Sequence, residues 1–162
     1  MAMGLSGMIM AAVLGSLVFI ARSSFSVANY SMMNSESRMG LEIFGRDVRN
    51  GENIKPGFSS TEFTVQVPKT GGGFDEITYV YRPNSSDRAF VRIDSNGEES
   101  LMTGVEDLNI NYYNLQAGPA TVPLEVKQIQ LQLKLVRNAV ALQNTEKVVS
   151  ARFILRNKEV AK

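Results

Sequence analysis

The stretch MAMGLSGMIMAAVLGSLVFIA, residues 1–21, contains no ionisable side chain, and Arg22 is the first to follow it. A helix of about 21 residues rising roughly 1.5 Å each spans about 31 Å, the thickness of a bilayer's hydrocarbon core. Such a segment satisfies its backbone hydrogen bonds internally, as lipid requires. No apolar run of similar length occurs later in the chain. One hydrophobic helix therefore carries a polar remainder.

Three readings of this stretch are open. A cleaved secretory signal is suggested by the small residues Ser26-Val27-Ala28, although the run is long for a signal core and no basic residues precede it. A plain single-pass anchor is the second reading, and Arg22 at its C-terminal end then favours a cytoplasmic remainder. The third comes from Gly7, Ala11 and Gly15, four residues apart and so on one helix face. A small-xxx-small stripe lets membrane helices approach closely, though glycine is also simply common in such helices.

The continuation of the segment bears on all three. Between Arg22 and Asn50 there is no proline, and only Gly40 and Gly45 interrupt. Phe25, Ala28, Met32, Met39 and Ile43, with Leu41, Phe44 and Val48 alongside, recur at helical spacings. Glu36, Arg38, Glu42, Arg46, Asp47 and Arg49 lie between them, and Glu42–Arg46 is an i,i+4 pair in the favourable order. The spacing predicts one rod of roughly 45–50 residues, ended by the capping pair Asn50-Gly51. Residues 1–50 form the hydrophobic and amphipathic helix, and residues 51–162 form a β-rich head domain.

The arrangement resembles the type IV pilin family, whose members carry a prepilin-peptidase signal of Gly followed by Phe-Thr-Leu-[Ile/Val]-Glu and an apolar helix. On that pattern Ala2 falls at the cleavage glycine, Met3 at the methylated phenylalanine, Leu5 at the leucine, and Met8 to Ser16 along the continuing helix. Ser37 to Asn50, SRMGLEIFGRDVRN, is similar to the R-x-x-L-x-x-L-x-R-D-[IVL]-R segment of PilW-type minor pilins and of J-type minor pseudopilins of type II secretion. Leu101 to Leu108, LMTGVEDL, resembles their L-x-x-G-V-x-D-L segment. Two positions depart from the family: Ala2 replaces the glycine, and Gly7 stands where the fifth mature residue is normally Glu. That Glu pairs with a neighbouring subunit's N-terminal amine, and members lacking it typically sit at the filament tip.

The resemblance implies a structural subunit of the bacterial inner membrane, processed at Ala2–Met3 by prepilin peptidase. It implies co-assembly with other pilin or pseudopilin subunits through Gly7, Ala11 and Gly15, with the head domain periplasmic or on an extracellular filament. Arg38, Glu42, Arg46, Asp47 and Arg49 are then candidates for inter-subunit contacts, although a solvated helix face is the ordinary role of such charges. The rival reading is a non-polymerising, membrane-tethered β domain acting as a binding module.

Composition narrows the remaining chemistry. A net charge of +1 gives no general attraction to nucleic acid or anionic lipid. Without cysteine there is no disulfide or thiol chemistry, and without histidine the commonest general base and metal ligand is missing. About 110 residues beyond the helix suffice for one core. They read as antiparallel strands in a single meander: 61–67, 76–81, 88–94, 99–102, 107–113, 126–136 and 148–155. Ser95-Asn96-Gly97-Glu98 marks a hairpin, and Ile129, Leu131, Leu133 and Leu135 alternate with Gln128, Gln130, Gln132 and Lys134. The fold class is α+β and pilin-like, the long helix covering the apolar face of an antiparallel sheet.

The sequence carries no recognisable catalytic motif. Gly71-Gly72-Gly73 lacks the Lys-Ser/Thr of a phosphate loop. Asp75-Glu76, Glu98-Glu99 and Glu106-Asp107 are adjacent carboxylates whose side chains a strand sends to opposite faces. Tyr79, Tyr81, Tyr112 and Tyr113 suit a core and cross-strand pairs better than a base-stacking surface. No enzyme activity, cofactor or metal site is expected.

Overall fold

In the computed structural model, which describes residues 2–138 and 144–158, one helix, α1, runs unbroken from Ala2 to Asn50. At roughly 1.5 Å per residue its 49 residues reach about 73 Å. It is long and apolar enough to cross a membrane, and its most apolar window is wholly unburied. Met1 and residues 139–143 and 159–162 lie outside the described residues, as do the side chains of the Ala2–Met3 junction.

The head domain is antiparallel throughout, and α1 packs on it in the expected α+β, pilin-like manner. It differs from expectation in having two sheets. The first is a five-stranded meander: β1 (Asn53–Ile54), β2 (Glu62–Pro68), β3 (Phe74–Arg82), β4 (Ala89–Asp94) and β5 (Gly97–Met102). The second holds β6 (Val105–Tyr113), β7 (Gln128–Asn138) and β8 (Asn144–Ile154), with a 3-10 turn at Pro123–Glu125 before β7. The break falls at Thr103-Gly104. Gly104 has φ +69, donates to Asp87 O (2.8 Å) and accepts from Val136 N–H (2.8 Å). The chain is thereby handed from β5 to β7's side, and a Cβ at Gly104 would lie 2.6 Å from Val136 O. The two-residue β1 and the 3-10 turn were not expected, being too short to show a period.

Alternation places the core as read. Phe63 and Val65, Ile77 and Tyr79, Leu108 and Ile110, and the Ile129–Leu135 series are all buried. The helix register is corrected. Met32, Met39 and Phe25 are exposed, whereas Met33, Ser37, Gly40, Phe44 and Val48 face the sheets. The inward stripe mixes small and polar residues with apolar ones because close approach requires them. A Cβ on Gly40 would meet Met102 Cε at 2.7 Å, and one on Gly45 would strike the Phe153 ring. Phe44 fills the centre, its ring 5.0 Å from Tyr79, 5.5 Å from Phe153, 5.9 Å from Phe63 and 6.0 Å from Phe90. One helix side chain thus joins four strands from both sheets.

Candidate functional site: the helix and its seat

The helix is partnered along only part of its length, and its three regions differ in what they can do. From residue 7 to residue 28 every side chain is exposed, including Met8, Leu14, Leu17, Phe19 and Phe25. Gly7 and Gly15 have nothing within 4 Å of where a Cβ would stand, and Ala11 on the same face is exposed. This is the face that the small-residue spacing singled out, and within one copy nothing covers it. Ser16 and Ser24 turn their hydroxyls back to Ala12 O and Ile20 O (2.9 Å each), so neither hydroxyl leaves a bare polar group on an apolar surface.

Where the helix meets the head domain, a polar clamp closes on it. Glu36 accepts from Thr103 N–H and Thr103 Oγ1 (2.8 Å each) and from Arg137 Nη2 (2.5 Å). Lys147 Nζ donates to Asn34 Oδ1 and Ser37 Oγ, 2.7 Å each. Burial first, and then the Arg38 charge, pull the Lys147 ammonium below its ordinary range. An open polar depression of about 590 Å3 adjoins this point, between Asn29 on the helix and Asp87, Arg88, Thr103 and Arg137.

Nearer the helix end lies a second clamp, this one buried. Asp47 is 5% exposed and accepts from Tyr79 Oη (2.9 Å), Arg92 Nε (2.7 Å) and Arg46 Nε (3.3 Å). Arg92 also pairs with Asp94. Burial alone works against the Arg92 charge, but the hydrogen bonds it donates to Asp47 and Asp94 outweigh it and hold the proton more tightly than usual. Burial raises the Tyr79 hydroxyl well above its ordinary value, and the Asp47 charge adds to that. The Arg92 guanidinium, through its hydrogen bond, lowers Asp94.

The candidate contact residues therefore separate. Arg38, Glu42 and Arg46, four apart, are exposed on the outward helix face. Arg49 is half-buried, its guanidinium 5.7 Å from the centre of the Phe153 ring. Asp47 is corrected: it is bound inside the subunit and takes no part in a solvated face. Arg46 pairs with Asp47 in place of Glu42, because the buried carboxylate next to it is fixed by two other donors whereas Glu42 is free in water. Glu36 and Arg92, which the sequence reading did not select, are the residues that seat the helix. Four of the six adjacent carboxylates are taken up by ordinary surface ion pairs: Asp75 with Lys69, Glu76 with Lys55, Glu98 with Arg82 and Glu106 with Lys134. No protein-family model and no curated protein sequence matches the chain.

Proposed function

We propose that this chain is a structural subunit of a pilin-like filament, of the minor-pilin or minor-pseudopilin kind. Residues Met3–Ala21 hold it in the inner membrane, and the same helix passes into the filament core on assembly. The observation that carries this reading is the division of α1. Its final third is fastened by two clamps and a packed core, while residues 7–28 keep an unpartnered apolar surface with open glycine positions. A tether for an independent binding domain needs neither the rigid continuation into that domain nor the glycines. Neighbouring helices would pack on Gly7, Ala11 and Gly15, with Arg38, Glu42 and Arg46 meeting the next head domain.

Replacing Gly7 and Gly15 by Leu tests this directly. Co-assembly with wild-type subunits should be lost while the head domain unfolds at its usual temperature, since nothing within one copy touches either glycine. Wild-type incorporation of the variant would refute the packing. Intact-mass analysis of chain taken from membranes supplies the second check. A mature N-terminus at Met3 carrying one added methyl is expected. An unprocessed chain that stays monomeric at all concentrations would instead identify a tethered binding module.

A further inference from the structure

The edges of the two sheets are guarded unequally. β1 has only two residues. β6 carries a register shift between Val105 and Asp107, and Ile110 N–H is taken by Ser60 O (2.8 Å). β8 has neither protection. It is eleven residues long, contains no glycine or proline, and pairs with β7 without a shift from Asn138↔Asn144 to Gln128↔Ile154.

The register tells which of its backbone groups are free. Leu155 N–H donates to Lys127 O (2.9 Å), one step beyond the ladder, and Arg156 N–H turns the opposite way to Arg49 O (3.3 Å). Odd-numbered residues of β8 therefore bond to β7, and even-numbered ones direct N–H and C=O outward. Among the described residues none of these outward groups from Glu146 to Ile154 has a partner. The even-numbered side chains are exposed as well, Val148 to 77%. A long unguarded edge is a template for one more strand.

Chain direction limits what that strand can be. β8 runs with α1: Lys147 reaches Asn34 and Ser37, Phe153 lies on Gly45, and Arg156 meets Arg49. Copies inserted alike in one membrane share that direction, so they cannot pair β8 with β8 antiparallel. β5, the edge of the other sheet, runs the opposite way. Glu99 is level with Arg92 and hence Asp47, Met102 lies on Gly40, and Thr103 meets Glu36. Its residues Gly97 to Ser100 are all exposed. The charges also match, since Glu98, which Arg82 already contacts, and Glu99 stand on β5, while among the described residues Arg152 on β8 has no carboxylate partner and meets Gln130 and the Tyr113 ring.

We propose that β8 of one copy pairs antiparallel with β5 of a neighbouring copy, Arg152 opposite Glu98 and Ser150 opposite Ser100. The sheets then continue from subunit to subunit with all helices pointing one way. This rests on the filament reading for the shared helix direction, and it makes the contact head-to-tail, open at both ends.

The absence of cysteine makes a clean test possible. Full-length Glu98→Cys and Arg152→Cys chains are co-expressed in membranes and oxidised with copper phenanthroline. A disulfide dimer is expected in the mixture and in neither variant alone, and the double variant should give a ladder of multimers. Adding Ser150→Pro, which removes one outward N–H, should abolish the mixed disulfide without shifting the unfolding temperature by more than a few degrees. No mixed disulfide, or a dimer from Arg152→Cys alone, would overturn the pairing. Gly15→Cys, run in parallel, reports helix association separately. Its dimer without the mixed disulfide rejects the strand pairing and keeps the helix packing; the reverse result keeps the pairing and rejects the packing.

Discussion

Asp47 sits within two residues of the exposed Arg46 and the half-buried Arg49 yet is bound from three sides by Tyr79, Arg92 and Arg46. Replacing it with Asn leaves Arg92 with Asp94 alone and should cost about 3 kcal/mol, as removing one member of a buried pair does. Urea unfolding of the detergent-solubilised chain measures this, and Arg92→Met in the same background should recover part of the loss. The charge pattern around Asp47 disguised its role, because Arg46, Asp47 and Arg49 together read as a solvated face. The usable signal was spacing: Gly40, Phe44, Asp47 and Val48 fall three and four apart, on the inward stripe. The alkaline limb of stability is also set by single residues. Burial, with the Lys127 charge behind it, lowers the Lys158 ammonium to about 8. Between about 8 and 10 the unfolded chain then binds more protons at this position than the folded one, so stability rises with pH. Above about 10 unfolded tyrosines ionise, while burial keeps Tyr79, Tyr81 and Tyr112 protonated in the fold. Stability should therefore climb from pH 8 to about 10 and fall beyond it, and Lys158→Met should flatten the climb in thermal melts.

Two glycines of the same helix have opposite meanings. Alanine at Gly45 improves helix propensity by up to about 1 kcal/mol, but its Cβ must enter the space of the Phe153 ring. Overpacking of this kind costs about 1–3 kcal/mol, so Gly45→Ala should lower the melting temperature despite the propensity gain. Gly15→Ala meets nothing and should leave the monomer as stable or slightly more so. Periodicity alone made Gly45 an interruption of the helix, whereas the four-residue spacing of Gly7, Ala11 and Gly15 had already set Gly15 apart. Most strands were legible for the converse reason, since alternation in Phe63–Val67 or Ile129–Leu135 has no other explanation. The division into two sheets was not legible. Both meanders carry the same alternation, and the hand-over depends on the left-handed backbone at Gly104 and on the bonds it makes to Asp87 and Val136.

For the molecule as a whole, the 1–50 helix and the α+β plan follow from hydropathy and period, but the strength of their union does not. It depends on Glu36, Phe44 and Asp47 meeting residues up to 109 positions away, the separation of Phe44 and Phe153. A continuous helix with no hinge also has a mechanical consequence. Tension applied at the N-terminus is delivered along α1 and must shear it past both sheets, loading the Glu36–Arg137 clamp, the Phe44 cluster and the Asp47–Arg92 pair together. Tension applied at Leu155 meets the β7–β8 ladder from its end and opens it one pair at a time. Optical-tweezer unfolding should accordingly need a markedly higher force from the N-terminal handle than from the C-terminal one. The head domain would then withstand a pull on its N-terminal helix and yield readily to a machine that grips β8 from its C-terminal end.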